Sequence, residues 1–444
     1  MKRRNYMAVF VFLLLLLREG QGDYYVSITG SDSNPGTQSQ PFLTVSHAYS
    51  LLNSENSTIF VLPGTYGPSS FFNLLPVNAT IIGMPSSATA VVFSCDSQQA
   101  PFMGSSSVDV WYGPLMYIFT VINVEFSECG SLGAMYLQPE CLKPRQGCGL
   151  LLNFTDCVFT DTGSAVTVPS VGVSSLMVTF ENCEFLDGAA GVQLMTTMGA
   201  QRLTVNIDGC QFTALSGSIV SLQSTGLSVN GSVLISNTMI QQANATSAVS
   251  LSANRHAVLK YPIVLDGVKV VGGLFSNPFL LAVSANVTVV NSQLSGGQFK
   301  VAAFLMQNSL VEFSNVQFTT STFQTSAVWL TGSSMTASEL QISNCSGSSG
   351  TAISLTASNL TAVASSFSSN TASNLGGALS ADSNSLLALT ECVLEDNTAF
   401  TAGAIFCSTG SSLVATNVQF SNNNSEDGSP AVQCTAAGST AEYG

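Results

Sequence analysis

A short phrase of alternating apolar and polar residues recurs twelve times along this chain, and its spacing restricts the possible folds more than any other feature. Each phrase ends on an apolar anchor residue, and successive anchors are 33, 26, 27, 28, 30, 24, 24, 24, 25, 27 and 26 residues apart. The anchors are Phe126, Phe159, Phe185, Phe212, Ile240, Val270, Leu294, Phe318, Ile342, Phe367, Leu394 and Phe420. A repeat of about 27 residues is typical of solenoids, in which each repeat forms one coil that stacks on the next.

The alternation within each phrase predicts strands with one buried face. In the phrase Asn-Ser-Leu-Val-Glu-Phe-Ser-Asn-Val-Gln-Phe, which ends at Phe318, apolar residues recur at every second position rather than with the 3.6-residue period of a helix. A second phrase of small and aliphatic residues follows most anchors, as in Ala327-Val328 and Ala352-Ile353. We therefore predict an all-β parallel β-helix with at least two strands per coil, and a third strand before each anchor.

The predicted coils stack in register. With strands about 4.8 Å apart, twelve coils would form a column roughly 50 to 60 Å long. An array of immunoglobulin-like domains would also be rich in strands, but it would repeat at about 100 residues. The observed period is several times too short for that alternative.

The first 22 residues predict a secretory signal peptide. Lys2, Arg3 and Arg4 precede the apolar run from Met7 to Leu17, which is too short to span a bilayer, and small residues precede Asp23. We expect a secreted or cell-surface protein with an N-terminal cap and first coils in residues 23–90, β-helix repeats in 91–435 and a tail in 436–444. No membrane span is predicted in this chain, although an anchor could lie beyond Gly444.

Charge and composition favour an extracellular polar surface. Eleven Lys and Arg against 25 Asp and Glu give a net charge of -14, which argues against a nucleic-acid partner because phosphate binding needs a basic surface. Only 8% of the residues are charged, so Ser, Thr, Asn and Gln must form most of the exterior, which suits contact with glycans or other extracellular proteins. We expect some of nine N-glycosylation sequons to be used: Asn56, Asn78, Asn153, Asn230, Asn244, Asn286, Asn344, Asn359 and Asn423.

Eight of the eleven cysteines can be assigned from their positions. Four of them precede an anchor by two residues and are predicted to be buried thiols: Cys157, Cys183, Cys210 and Cys392. Cys141 and Cys148 lie in the insertion that lengthens the first interval and are the preferred disulfide pair, whereas Cys407 and Cys434 occupy equivalent places in adjacent coils and could also be bridged. With two His and no two-residue Cys spacing beside these cysteines, the sequence predicts neither a metal site nor a cofactor.

Two segments resemble known families. The sequence Tyr-Tyr-Val-Ser-Ile-Thr-Gly-Ser-Asp-Ser-Asn-Pro-Gly-Thr from Tyr24, followed by Gln-Pro-Phe-Leu-Thr-Val, resembles the opening segment of pectin-lyase-like right-handed β-helix proteins. The resemblance implies a right-handed, single-stranded solenoid closed by a short N-terminal capping helix. We expect Thr44 to cap this helix and one face of it to be buried, namely Val45, Ala48, Leu51 and Leu52.

The late coils contain Phe367-Ser-Ser-Asn370 followed by Gly376-Gly377-Ala378-Leu379, and Leu394-Glu-Asp-Asn397 followed by Gly403-Ala404-Ile405. These phrases resemble the Phe-x-x-Asn and Gly-Gly-Ala-Ile repeats of chlamydial polymorphic outer-membrane proteins. Asn370, Asn397 and Asn423 each follow an anchor by three residues, so we expect their amides to stack into a ladder at a turn. The resemblance indicates the fold rather than the function, because this fold is used by lyases, hydrolases, esterases and adhesins alike.

The catalytic signal is weak. Asp161 and Asp187 each follow an anchor by two residues in consecutive coils, which could bring together the two carboxylates of a polysaccharide hydrolase. Arg255 is a candidate basic residue for a lyase. Signature motifs of polygalacturonase-like enzymes are missing. We therefore expect a noncatalytic β-helix glycoprotein acting in adhesion, glycan contact or extracellular matrix. The alternative is a pectin-lyase-like carbohydrate-active enzyme with an acidic site on the central coils.

Overall fold

The chain forms one column of stacked parallel strands. The computed structural model describes residues 23–52, 57–68, 72–73, 78–95, 101–104, 110–111, 116–130, 133–137, 140–141, 149–168, 175–187, 190–196, 202–214, 216–224, 230–245, 247–253, 262–408, 410–434 and 440–443. Within these residues, each strand pairs in parallel with the equivalent strand of the preceding and following coil. The predicted parallel β-helix is therefore confirmed.

Sheet 1 contains the strands that precede the anchors. Its sixteen strands are Tyr24–Val26, Ser57–Val61, Ala79–Gly83, Met116–Ile122, Gly149–Thr155, Ser175–Glu181, Arg202–Asp208, Asn230–Ser236, Pro262–Asp266, Asn286–Val290, Leu310–Ser314, Ser334–Ser338, Asn359–Val363, Leu386–Thr390, Ser412–Thr416 and Thr440–Tyr443. The predicted third strand of each coil is thus present. The last of these strands lies in the segment that the sequence analysis assigned to a tail.

Sheet 2 carries the anchors, each at the centre of a three-residue strand. Its fourteen strands are Gly64–Tyr66, Val91–Ser94, Glu125–Ser127, Val158–Thr160, Glu184–Leu186, Gln211–Thr213, Met239–Gln241, Lys269–Val271, Gln293–Ser295, Gln317–Thr319, Gln341–Ser343, Ser366–Ser368, Val393–Glu395 and Gln419–Ser421. All twelve predicted anchors lie in consecutive strands and in register. Tyr66 and Phe93 continue the same stack toward the N-terminus.

Sheet 3 contains the phrases of small and aliphatic residues. Its fourteen strands are Phe72–Asn73, Phe102–Gly104, Met135–Leu137, Ser164–Val168, Ala190–Thr196, Val220–Ser224, Val249–Ala253, Leu280–Val283, Phe304–Gln307, Val328–Thr331, Ile353–Thr356, Leu379–Asp382, Ile405–Cys407 and Val432–Cys434. Two short strands, Val110–Trp111 and Glu140–Cys141, pair with each other outside the three long sheets.

Sheet 4 was not predicted. Its eight strands are Asn244–Ala245, Leu274–Phe275, Gln298–Phe299, Thr322–Phe323, Ser346–Ser349, Thr371–Leu375, Thr398–Thr401 and Asn424–Ser425. They lie between sheet 2 and sheet 3 of the later coils and give these coils a fourth side.

Residues in the left-handed backbone conformation form the corners on both sides of sheet 2. The residue three places before every anchor has a φ between 48° and 65°: Asn123, Asp156, Asn182, Gly209, Asn237, Gly267, Asn291, Asn315, Glu339, Ala364, Glu391 and Asn417. The residue two places after every anchor has a φ between 49° and 67°: Glu128, Asp161, Asp187, Ala214, Gln242, Gly272, Gly296, Thr320, Asn344, Ser369, Asp396 and Asn422. Gly, Asn and Asp recur here because they tolerate this conformation best.

The anchors pack into a continuous interior. Phe126, Phe159, Phe185 and Phe212 stack with ring centroids 5.1, 4.9 and 4.2 Å apart. Every anchor is buried except Phe420, which is partly buried in the last coil of the stack. At about 25 cal/mol per Å² of apolar area, this interior is the main stabilising term of the fold.

A short helix, α1 (Val45–Ser50), closes the N-terminal end. The Thr44 hydroxyl accepts a hydrogen bond from the His47 backbone N–H at 3.1 Å, as predicted for an N-cap. Val45, Ala48 and Leu52 are buried. The prediction for Leu51 is wrong, because the helix ends at Ser50 and Leu51 turns outward with 39% of its surface exposed, while Tyr49 takes the interior position.

The four predicted interior thiols are buried and reduced, as is Cys345. Cys157, Cys183 and Cys210 lie at the same corner in successive coils, and the Cys183 backbone N–H donates to the Cys210 sulfur at 3.4 Å. Burial, together with the neighbouring thiols, raises the pKa of Cys183 well above 9.0. Ionisation of this thiol inside the folded column is therefore unfavourable.

Candidate functional site

Asp161 and Asp187 occupy the left-handed corner after sheet 2 in neighbouring coils. Their φ angles are 50° and 49°, and both side chains are exposed. The Asp161 backbone N–H donates to the Leu186 carbonyl at 3.1 Å, and the Asp187 N–H donates to the Thr213 carbonyl at 3.3 Å. The sequence correctly placed the two residues one above the other, at a position that is a turn in all twelve anchored coils.

The position of this pair leaves its catalytic role a prediction. Glycoside hydrolysis needs two carboxyl groups that flank the scissile bond, about 5–5.5 Å apart in retaining enzymes and about 6.5–9.5 Å apart in inverting ones. Asp161 and Asp187 follow equivalent strands of adjacent coils, whose backbones are about 4.8 Å apart as in any parallel pair. Such a pair can contact the hydroxyls or cation of a ligand that lies across the corner.

The other predicted catalytic residue, Arg255, lies outside the described residues. Its segment connects the sheet 3 strand Val249–Ala253 to the sheet 1 strand Pro262–Asp266. Within the described part of the chain, no group of three or more His, Cys, Asp and Glu side chains is arranged to hold a metal ion.

The outer side of sheet 2 changes character along the column. In the early coils it carries Glu125, Glu128, Glu184 and Asp187 on its strands and corners. In the middle coils, four equivalent segments contain no charged residue at all. These segments are 293–299, 317–323, 341–347 and 366–372, and their outward side chains, on sheet 2, the corner and sheet 4, are together called the polar surface.

The polar surface consists of aligned amide and hydroxyl groups. Gln293, Gln317 and Gln341 are register partners on sheet 2, with Ser or Thr two residues after each of them. On sheet 4, the Ser346 hydroxyl donates to the Thr322 hydroxyl at 3.3 Å. Because each coil repeats these groups after about 4.8 Å, the polar surface offers parallel rows of neutral donors and acceptors.

The asparagine ladder forms as predicted. The Asn397 side chain accepts from the Asn370 backbone N–H at 3.0 Å and donates to the Phe367 carbonyl at 2.8 Å. Asn423 repeats both contacts one coil later, with the Asn397 N–H at 3.1 Å and the Leu394 carbonyl at 2.8 Å. Asn370 and Asn397 are fully buried, so the ladder is part of the interior rather than a binding surface.

The sequons lie in different environments. Four sequon asparagines are exposed, namely Asn286, Asn359, Asn244 and Asn344. Two are half-buried at sheet 1, Asn78 and Asn153, and Asn230 begins a strand of that sheet. Asn423 belongs to the ladder. Asn56 lies outside the described residues. Whether any of the nine carries a glycan stays a prediction.

Three of the described cysteines are disulfide-bonded: Cys95, Cys129 and Cys407. The structure contains a bond between Cys95 and Cys129, which the sequence analysis missed. Cys407 is also disulfide-bonded, and Cys434 is its register partner in the next coil, so the predicted pairing of these two fits the register and stays a prediction. Cys141 lies in the small two-stranded sheet, while Cys148 lies outside the described residues.

The missed bond does have a signal in the sequence. Cys95 and Cys129 are 34 residues apart, and they follow Phe93 and Phe126, which are equivalent positions of sheet 2. Had Phe93 been recognised as an earlier anchor, both cysteines would have been placed at the same corner of adjacent coils.

Family profiles match both ends of the column. Residues 279–442 match the family described as "Right handed beta helix region", and residues 28–104 match the one described as "Protein of unknown function (DUF1565)". No curated protein sequence matches the chain.

Several solved structures are similar at low identity. Tailspike protein 3 of bacteriophage CBA120 has a TM-score of 0.43 and 11% identity, over 95% of this chain and 59% of the tailspike chain. The GH87 α-1,3-glucanase catalytic unit of Streptomyces thermodiastaticus has a TM-score of 0.36 and 12% identity, over 95% of this chain and 69% of the glucanase. The A-module of a mannuronan C-5 epimerase from Azotobacter vinelandii has a TM-score of 0.34 and 10% identity, over 87% and 91% of the two chains.

The sheet topology and the profile match together define the class. The chain is a right-handed parallel β-helix protein with a short N-terminal helix, in which sheets 1 to 3 run along the described length of the column. No helix among the described residues is both long and apolar enough to cross a bilayer.

Proposed function

We propose that this protein is a secreted or cell-surface β-helix glycoprotein that binds glycans noncatalytically through its polar surface. The observation that carries the proposal is the uncharged row of Gln, Ser and Thr side chains on four successive coils, 293–299 to 366–372. Amides and hydroxyls both donate and accept hydrogen bonds, and so do the hydroxyl groups of sugars. A polymer lying along the column could therefore exchange its water contacts for aligned protein contacts in several coils at once.

Because the coils repeat, weak contacts from several of them can add up on one bound polysaccharide. One neutral hydrogen bond contributes only about 0.5–1.5 kcal/mol net, so a single coil would hold a sugar weakly. Contacts in four linked coils act on one polymer, and linkage raises the overall affinity without any stronger individual contact. Adhesion and matrix assembly require this kind of extended attachment rather than a deep pocket.

The experiment measures retention and cleavage together. The secreted protein is incubated with a panel of neutral and acidic polysaccharides, and both bound protein and released oligosaccharides are quantified. We expect retention on at least one polymer without cleavage products. The double variant Gln317→Ala/Gln341→Ala should weaken retention roughly ten-fold, since it removes side-chain contacts worth about 1.4 kcal/mol in total.

A matched control lies on another side of the same coils. Ser314 and Ser338 are register partners on sheet 1 in the strands that precede Gln317 and Gln341, and neither belongs to a sequon, so Ser314→Ala/Ser338→Ala changes the same two coils away from the polar surface. This variant should retain full binding. Release of oligosaccharides that is abolished by Asp161→Asn or Asp187→Asn would instead establish the carbohydrate-active enzyme as the correct alternative.

A further inference from the structure

Sequons concentrate on sheet 1. Of the eight sequon asparagines among the described residues, Asn153, Asn230, Asn286 and Asn359 belong to strands of this sheet, and Asn78 directly precedes another. The polar surface, by contrast, has a single sequon at its corner, Asn344. The sequence alone could not reveal this bias, because it becomes visible only when the strands are assigned to sheets.

Exposed apolar side chains concentrate on the same sheet. Twelve large hydrophobic residues of the described chain are exposed, and six of them lie on strands of sheet 1: Met116, Ile118, Leu310, Val363, Leu386 and Val414. Leu310 is the most exposed of all, at 62%. Isolated exposed leucines are normal, so those of sheet 1 are informative only through the residues beside them.

The register pairs two of the sequons with two of these leucines. Asn286 is the register partner of Leu310, and Asn359 is the register partner of Leu386. All four side chains are exposed, and the backbones of each pair are about 4.8 Å apart. The first sugar attached to either asparagine would therefore lie beside a leucine. Pyranose rings carry C–H groups on their faces, so such a sugar can cover apolar surface.

The hydrogen bonds of each asparagine side chain show whether it can carry a sugar without leaving its place in the fold. The Asn78 oxygen accepts from the Ile118 backbone N–H at 2.8 Å, which leaves its nitrogen free to carry a sugar. The Asn423 nitrogen, in contrast, donates to the Leu394 carbonyl at 2.8 Å inside the ladder, while its oxygen accepts from Asn397. A glycan on Asn423 would have to pull this side chain out of the stack.

We infer that sheet 1 is the glycan-bearing side of the protein, with Asn286 and Asn359 as principal sites whose sugars cover Leu310 and Leu386. Asn423 remains unmodified, and the polar surface stays accessible to its ligand. The inference rests on the proposed function, because N-linked glycans are added only to chains that enter the secretory pathway.

The first test is site-resolved glycopeptide mapping of the full chain secreted from a eukaryotic cell line. The sugars are released by peptide N-glycosidase in heavy-oxygen water, so that each formerly occupied asparagine becomes a labelled aspartate. Label at Asn286 and Asn359 and its absence at Asn423 is the expected result. A secreted protein labelled at Asn244, Asn344 or Asn423 but not at Asn286 and Asn359 would overturn the assignment of sheet 1. A chain that is retained in the cell without any glycan would overturn the proposed extracellular function as well.

The second test asks what the glycans cover. The double variant Asn286→Gln/Asn359→Gln should bind an apolar fluorescent dye at least two-fold more strongly than the wild type. Adding Leu310→Gln/Leu386→Gln, which creates no new sequon, should restore the original level. Asn244→Gln, which removes an exposed sequon on sheet 4, is the matched control and should leave dye binding unchanged. Equal dye binding by the double variant and the control would show that the sugars do not cover the leucines.

Discussion

At the residue scale, the ladder shows why a polar residue recurs in an apolar interior. The Asn397 amide joins three coils, since it accepts from the backbone N–H and side-chain N–H of Asn370 and donates to Phe367 and Asn423. Every polar atom of this buried side chain is therefore paired. The Phe-x-x-Asn phrase of the sequence is a hydrogen-bonding device that satisfies the backbone where the coil turns.

The ladder gives the first prediction. Asn397→Ala removes four hydrogen bonds and leaves the Asn370 N–H and the Phe367 carbonyl buried without these partners, so we expect a loss of about 2–4 kcal/mol in the free energy of unfolding. Urea denaturation of unglycosylated protein measures this difference. The control is Asn424→Ala, an exposed position one residue beyond the ladder, which should change stability by less than about 0.5 kcal/mol. Equal effects of both variants would contradict the role of the ladder.

The Gly-Gly-Ala phrase gives a second prediction, based on close approach. A Cβ atom at Gly377 would lie 2.1 Å from the Gly403 carbonyl oxygen, which belongs to the backbone of the next coil and cannot move aside. Gly377→Ala should therefore destabilise the protein by about 2–4 kcal/mol.

The same substitution at an open position is the control for this prediction. A Cβ atom at Gly67 would meet nothing within 4 Å, and Gly67→Ala should be close to neutral. Thermal unfolding monitored by circular dichroism compares the two variants. Comparable melting temperatures for Gly377→Ala and the wild type would show that neighbouring coils can separate at little cost.

At the scale of elements, the sequence could predict the strands that carry a strong pattern and missed those that do not. Sheets 1, 2 and 3 follow from alternation and from the recurring phrases. Sheet 4 begins with strands of two residues, too short to show a period. Its only signal was an aromatic residue five places after three successive anchors, Phe275, Phe299 and Phe323, whose rings stack 4.9 and 5.3 Å apart.

The N-terminal cap depends on one carboxylate. The Asp32 side chain accepts hydrogen bonds from the Leu43 and Thr44 backbone N–H groups and from the Thr44 hydroxyl, each at 2.9 Å. Asp32→Ala should therefore release α1 from the first coil, costing about 1–3 kcal/mol. Hydrogen exchange should become faster in residues 24–66 and stay unchanged beyond them. Ser33→Ala, at the exposed neighbouring residue, is the control, and an exchange pattern identical to that of Asp32→Ala would refute the role of the carboxylate.

Buried acidic groups predict a loss of stability at alkaline pH. Burial raises the pKa of Cys345 from 9.0 to about 11 and that of Tyr66 from 10.0 to about 12. The unfolded chain releases these protons at lower pH than the folded chain, so their stabilising contribution is complete below pH 9 and declines as the pH rises toward 12. For Cys345 the decline should approach about 2–3 kcal/mol.

Denaturation at pH 8 and at pH 11 measures this decline in the free energy of unfolding. The variant Cys345→Ala removes one of the titrating groups, so the difference between the two pH values should be smaller than in the wild type. An unchanged difference would mean that this thiol does not couple ionisation to folding.

At the scale of the whole molecule, the repeat in the sequence shows which residues occupy equivalent positions, but not the local structure at those positions. The sequence placed Asp161 and Asp187 in equivalent positions, and this geometry is correct. It could not show that the position is a corner in every coil, because a left-handed turn is met by Asp, Asn, Gly, Ala, Gln, Thr, Ser or Glu alike. The neutral polar surface was equally hidden, since it arises from four separate segments that only the stacking brings together.

All of these features depend on one geometric claim, that equivalent positions rise along a single column by one strand spacing per coil. Spin labels introduced as non-natural amino acids, which avoid the native thiols, can measure this directly by pulsed electron resonance. Gln419 lies five coils from Gln293 and eleven coils from Glu125 on sheet 2. We predict label separations of about 24 Å for the first pair and about 53 Å for the second. Two distances that do not grow in proportion to the number of coils would contradict the β-helix and every inference drawn from its register.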